Sequence, residues 1–354
     1  MRRLFLSLRY LVLLAILFTA FSCEHRKLED PQNTHYVRVY LDEQIKNVTY
    51  GFYDENCQKP EYERPSVLRA ILADPETGKI VSEKVLRNHG DDERGHYIDG
   101  YMAAVAGTYH FMVYEFGSVV THVRNSDNFH TMQAYTSKIS DRLMQYLPTT
   151  RTEIEGSIVN APEHLFHAVD EMIVVSRSTG IDTLRSSDGD YFVASSLVLS
   201  YYIQIKVKGV EWVKTAVTVM SGMGGSTYMR CKGDLDKSDP VNLFFGLSNP
   251  LANGDKRYAK DASTVTLYAT FNTFGKLLDI PTHCTLNFEF TRGDGTSQVE
   301  TIDITEMFDT PLVKENQWIL LDKTIEIIPP EGSGGGGMKP GVENWKDVEA
   351  EIIM

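Results

Sequence analysis

Apolar residues recur at every second position through much of this chain. Tyr201, Ile203, Ile205 and Val207 alternate with Tyr202, Gln204, Lys206 and Lys208. Val265, Leu267, Ala269 and Phe271 alternate with Thr266, Tyr268 and Thr270, and Leu286, Phe288 and Phe290 with Asn287 and Glu289. Successive side chains of a strand point to opposite faces, so each segment has one face suited to a core. Val37, Val39 and Leu41 repeat the pattern; 107–116, the pair Ile302 and Ile304, and 318–328 also read as strands. Segments 67–73 and 79–86 flank Asp74-Pro75-Glu76-Thr77-Gly78, a turn sequence, and predict a hairpin. Helical spacing is confined to 137–147 and a short turn at 162–169. The expected fold is all-β, made of antiparallel sandwiches. A loop at Arg185-Ser186-Ser187-Asp188-Gly189-Asp190 places the boundary, giving an N-terminal sandwich over 35–195 and a C-terminal one over 196–330.

The length of 354 residues suits about two domains. Hydrophobic residues at 42% and charged residues at 23% are the balance of a folded chain, not of a disordered or polytopic membrane protein. A net charge of −13 repels phosphates, so no nucleic-acid partner is expected.

Residues 1–22 have the layout of a signal peptide, with Arg2, Arg3 and Arg9 ahead of an apolar stretch at 10–18. That stretch is shorter than the about 20 apolar residues of a spanning helix. Ala20, Phe21 and Ser22 then lead to Cys23. A small residue directly before a cysteine is the pattern of a lipoprotein signal, in which the thiol is acylated and the mature chain begins at that cysteine. Ala20 stands where a stricter site carries Leu. Cys23 is the expected lipidation site, carrying palmitate or a similar acyl chain, and 23–34 the lipidated tether. Each buried CH₂ of an acyl chain contributes about 0.8 kcal/mol to membrane attachment. Removal of the three leader arginines would take the charge from −13 to −16. Cys57, Cys231 and Cys284 remain, far apart in sequence; two of them could form a disulfide, leaving one thiol.

The other end is a strand without a sheet. Pro329-Pro330 stops the body, and the Gly/Ser run that follows is a flexible linker. Beyond it Val348, Ala350, Ile352 and Met354 line one side of an extended chain, opposite Asp347, Glu349 and Glu351, with Trp345 just before. A single strand is not stable alone in water. Residues 331–354 therefore need a host: their own body, or the sheet edge of another molecule by strand addition. The sequence leaves both open. Trp345, Val348, Ala350, Ile352 and Met354 are the candidate strand-exchange residues.

No catalytic constellation emerges. Ser221-Gly222-Met223-Gly224-Gly225-Ser226 has neither the lysine nor the helix of a phosphate loop and reads as punctuation after a strand. Arg292-Gly293-Asp294 falls at a hairpin tip, which explains it as a turn. Asp234, Asp236 and Ser238 start like a calcium loop, but Asp239 and Phe245 stand where Gly and Glu are needed. His164 and His167 have the wrong spacing for a zinc site. No enzyme, cofactor or metal is expected.

Three stretches carry a family resemblance: Ser22-Cys23-Glu24-His25-Arg26-Lys27; Ser221-Gly222-Met223-Gly224-Gly225 with the later Thr273-Phe274-Gly275; and the ending, where Val342, Trp345, Val348, Ile352 and Met354 hold the matching positions. The chain resembles the fimbrillin-like lipoproteins of Bacteroidales, the type V pilus subunit superfamily, and within it an uncharacterised lipoprotein family related to anchor and accessory subunits. Lys27-Leu28-Glu29-Asp30 is similar to the acidic export signals that follow the lipidated cysteine in Bacteroidales surface lipoproteins. The resemblance implies two tandem transthyretin-like, Greek-key sandwiches. It also implies attachment to the outer membrane at the cell surface, and an adhesive fimbrial role as anchor, accessory or tip subunit whose partners are other fimbrial subunits. The rival reading is a glycan-binding surface lipoprotein of a polysaccharide-uptake system, with Trp212 and Trp318 as candidate sugar-stacking residues.

Overall fold

The computed structural model describes residues 33–42, 64–177, 180–231, 233–251, 263–277, 283–330, 345, 346 and 348. The fold is all-β. The first sheet uses β1 (Asn33–Asp42), β2 (Leu68–Ala73), β3 (Ile80–Leu86), β4 (Asn88–Asp92), β5 (Gly95–Ala104) and β6 (Gly107–Glu115). β7 (Thr121–Arg124), β8 (Gln133–Thr136), helices α1 (Asp141–Met144) and α2 (Thr150–Glu153), and β9 (Ser157–Asn160) follow. The chain then returns with β10 (Phe166–Val175), β11 (Asp182–Thr183) and β12 (Phe192–Ser196). The strand order is β3-β2-β6-β10-β12-β1-β5-β4, with β11 beside β1. Inward residues from all along this order, including Val37, Leu68, Ile98, Phe111, Phe166 and Phe192, share one buried core, so the sheet curls around it.

Residues 199–326 build a sandwich. β13 (Leu199–Lys208), β17 (Thr264–Thr273) and β20 (Trp318–Glu326) form one sheet in the order β17-β13-β20. β14 (Val213–Gly224), β16 (Pro240–Gly246), β18 (Thr285–Arg292) and β19 (Ser297–Asp303) form the other, in the order β19-β18-β14-β16-β9. Ile203, Ile205 and Val207 meet Phe245, Phe271, Phe288 and Phe290 between the sheets. β15 (Ser226–Tyr228) joins β8 and β7 in a small sheet beside the first.

The expected hairpin is present: Leu68 lies opposite Leu86, and the Asp74 carboxylate accepts the Thr77 N–H at 2.8 Å to set the turn. Two local expectations are corrected. Residues 162–169 are not helical; Phe166 begins β10. A bulge between Asp170 and Ile173 shifts the inward positions from Phe166 to Ile173 and Val175, which hides the period of two. Of 137–147 only Asp141–Met144 is α-helical, started by Ser140, whose side chain accepts the Leu143 N–H. Sheet membership also departs from chain order. β9 leaves the first half and pairs in parallel with β16, so part of the segment before residue 196 belongs to the later sandwich.

Candidate functional site

β14 is apolar on both faces. Ala216 and Met220 point into the sandwich, while Val217 and Val219 point out of it. An apolar outer face needs a cover, and the fold supplies one. Phe244 of β16 and Ile158 of β9 extend the outward patch, and Ile139, Leu143, Tyr146 and Leu147 from the α1 region close over it. Val348, from the end of the chain, completes this cluster and is 2% exposed.

The backbone is engaged as well. The β14–β18 register shifts between Val213 and Thr215, a bulge that frees the Lys214 carbonyl from the ladder. The Lys346 N–H donates to that carbonyl at 2.9 Å. The Lys346 ammonium donates to the Tyr146 hydroxyl and lies 5.0 Å from its ring centroid. Trp345 packs, partly buried, against the core of the sandwich. Two apolar side chains and one backbone hydrogen bond thus place Trp345, Lys346 and Val348 on their own body. Ala350, Ile352 and Met354 lie outside the described residues, as does Cys23.

The two-faced pattern of the segment 213–220 was the available signal for this seat, since a strand apolar on both sides is covered on both sides. The apolar run Leu243-Phe244-Phe245 of β16 carries the same two-faced signal, while β9 and α1 do not.

The tempting motifs resolve into structure. Gly222 and Gly224 lie within β14, not after it, and Gly222 has φ +83° beside a bulge between Met220 and Met223. Arg292 and Thr296 close the Arg-Gly-Asp turn through a 2.8 Å backbone hydrogen bond. Asp234 pairs with Arg230, and Asp236 accepts from Ser238 and Gln133. His164 lies between Ser196 and Ser200, at 2.9 and 3.3 Å, and burial pushes its pKa down to about 4. No group of His, Cys, Asp and Glu with metal-binding geometry occurs among the described residues. Cys284 is a buried free thiol whose pKa burial raises to about 11, and Cys231 is exposed; Cys57 lies outside the described residues. Trp318 is fully buried, so it offers no sugar-stacking face, and Trp212 is partly buried against the core. Among the described residues no helix is long and apolar enough to cross a membrane.

Residues 87–246 match a family model described as a domain of unknown function, DUF5119. The chain is 24% identical over 278 residues to a Bacteroides ovatus protein named as a fimbrium anchoring subunit, Fim4B, covering 70% of this chain and 74% of that one. A crystal structure of a Bacteroides ovatus protein described as an adhesin aligns with TM-score 0.54 at 22% identity, over 84% of this chain and 94% of its own. The fimbrial anchor protein Mfa2 of Porphyromonas gingivalis aligns with TM-score 0.42 at 11% identity, over 81% of this chain and 88% of its own. Residues 87–246 thus match the DUF5119 model, and the chain shares its fold with the Bacteroides ovatus protein described as an adhesin.

Proposed function

We propose that this protein is an accessory subunit of a surface fimbria, of the anchor type, with a structural and not an enzymatic role. Acyl chains on Cys23 moor it to the outer membrane, and the segment 345–354 is the strand through which it assembles with a neighbouring subunit. The observation that carries this reading is the seat of the tail, with Val348 on the apolar outer sheet face and Trp345 against the sandwich core. Among the described residues the tail is held by the side chains of Trp345, Lys346 and Val348 and one backbone hydrogen bond, a small contact that another seat can replace. A seat of the same shape on another subunit would accept it equally well. The relationship to a protein named as a fimbrium anchoring subunit supports the anchor role. The division into sandwiches over 35–195 and 196–330 belongs to the same proposal, with the segment around β9 shared between them.

Two cell-based measurements test it. Cys23→Ala is expected to move the protein from the membrane fraction to the soluble fraction; retention in the membrane would refute the lipid anchor. Deletion of 338–354 is expected to abolish high-mass surface assemblies containing this chain. Unchanged assemblies would refute the assembly strand.

A further inference from the structure

The first sheet has an open seam. β3 pairs with β2, and β4 pairs with β5 only through Gly95–Asp99. β3 and the remainder of β5 therefore run side by side without a backbone ladder. Ser82 bridges them through its hydroxyl to the Ala103 carbonyl. Leu86 packs on Gly100, where an added Cβ would come within 3.0 Å of it. Outside this contact lies a cleft of about 690 Å³ whose walls include Lys84, Arg87, Asn88, Asp99 and Tyr101. We infer that this cleft binds a saccharide bearing carboxylate groups, through Lys84 and Arg87 on the carboxylate, Tyr101 against the sugar ring, and Asn88 and Asp99 on its hydroxyls.

Charge is the first argument. The neighbouring arginines are committed: Arg38 to Asp92 at 2.9 Å, Arg94 to Asp190 at 2.6 Å, and Arg69, at the end of the same cleft, to Glu83. Lys84 and Arg87 are exposed and have no ion pair among the described residues. Lys84 and Arg87 line one cleft whose charged walls, with Arg69, Glu83 and Asp99, carry one net positive charge on a chain of net charge −13, which favours an anion there.

The remaining walls select the kind of anion. Tyr101 is 48% exposed, and Tyr36, its cross-strand neighbour, meets its ring at a tilt with a centroid distance of 5.4 Å. An exposed ring at the cleft wall suits the C–H face of a pyranose. Asp99 is held by the Tyr36 hydroxyl at 2.6 Å and the Asn88 amide at 3.2 Å, which leaves acceptor capacity for sugar hydroxyls. The rings here are tilted, 56° between Tyr36 and Tyr101, so they form no flat platform, and the cleft takes a few sugar units in depth. Its volume lies in the about 300–1,000 Å³ range of small-ligand sites.

The test is calorimetric titration of the full chain in detergent with trigalacturonate at low ionic strength, beside neutral galactotriose and inorganic pyrophosphate. Saturable binding of trigalacturonate is expected, with galactotriose about tenfold weaker or more. The Lys84→Ala/Arg87→Ala double variant and Tyr101→Ala should each weaken binding about tenfold, while Tyr101→Phe keeps it. Both cations are exposed, so the double variant is expected to keep the parent's melting temperature, which is measured alongside. Absence of saturable binding, an unchanged double variant, or displacement of trigalacturonate by equimolar pyrophosphate would each overturn the proposal. None of these outcomes bears on the fimbrial reading.

Discussion

Glu289, with no exposed surface, accepts the backbone N–H groups of Thr149 and Thr150 at 2.9 and 3.0 Å. It lies on the outer face of β18, directly opposite Val217 of β14. The first N–H groups of a helix have no partner within it, and a negative charge there is favourable. One carboxylate therefore pins the start of α2, just beyond the α1 region that covers the tail's seat.

Replacing Glu289 by Ala should lower the stability of the fold by about 3 kcal/mol, because one buried and one part-buried donor lose their acceptor. Glu289→Gln keeps one acceptor oxygen but turns an amide N–H₂ toward the second donor, so an intermediate loss is expected. Urea denaturation at neutral pH measures both. A loss under about 1 kcal/mol for the Ala variant would show that water takes over the two N–H groups.

The tail should come off before the sandwich opens. Val348→Asp places a charge in the dry cluster of Val217, Val219 and Phe244. Trp345→Ala removes the other anchor. Each is expected to speed hydrogen exchange at the Lys346 amide, whose partner is the Lys214 carbonyl. Exchange within β13 and β17 should stay slow. Equal acceleration in those strands would mean that the tail and the sandwich open as one unit.

Where pairing follows a local alternation, the sequence was a sufficient guide. β13 and β17 align over ten consecutive pairs, from Leu199–Thr273 to Lys208–Thr264, with the expected apolar face inward. Parallel pairings were not legible: β1 with β12, β9 with β16 and β13 with β20 join segments separated by long stretches of chain, and no local pattern names a partner. The cleft was hidden for a related reason. Lys84, Arg87 and Tyr101 meet because the chain changes partner at Arg87, leaving β2 for β5. The tail's period of two was plain, but its host depended on a bulge at Lys214 that alternation does not reveal.

Gly222 is fixed by geometry rather than by any ligand. Its φ of +83° disfavours other residues, and an added Cβ would come within 2.8 Å of the Cys284 sulfur. Gly222→Ala should cost about 2–4 kcal/mol of stability, from backbone strain and overpacking together. In Gly222→Ala/Cys284→Ala the clash with the sulfur is relieved, while the backbone strain and the 3.2 Å approach to the His283 carbonyl remain. Thermal denaturation of both single variants and the double should therefore give less than the sum of the two single losses. Strict additivity would show that the two sites do not touch.

His164 sets the acid response. Burial lowers its pKa from 6.5 to about 4, so between those values the unfolded chain binds the proton that the folded chain refuses. Stability is complete above pH 6.5 and falls as pH drops through this window, by at most about 3 kcal/mol, then levels off with respect to this group. Buried His35, whose pKa is also lowered by desolvation, adds to the slope in the same direction. The depressed carboxylates, such as Asp236 and Asp303, begin to cost stability only from about pH 5 downward, so they add to the slope at the acid end of the window and leave its upper part to the histidines. Urea denaturation midpoints at pH 7 and pH 4.5 should differ clearly in the parent chain. His164→Gln can still hydrogen-bond to Ser196 or Ser200 and does not titrate, so its pH dependence should be shallower. An equal slope in both proteins would assign the acid sensitivity elsewhere.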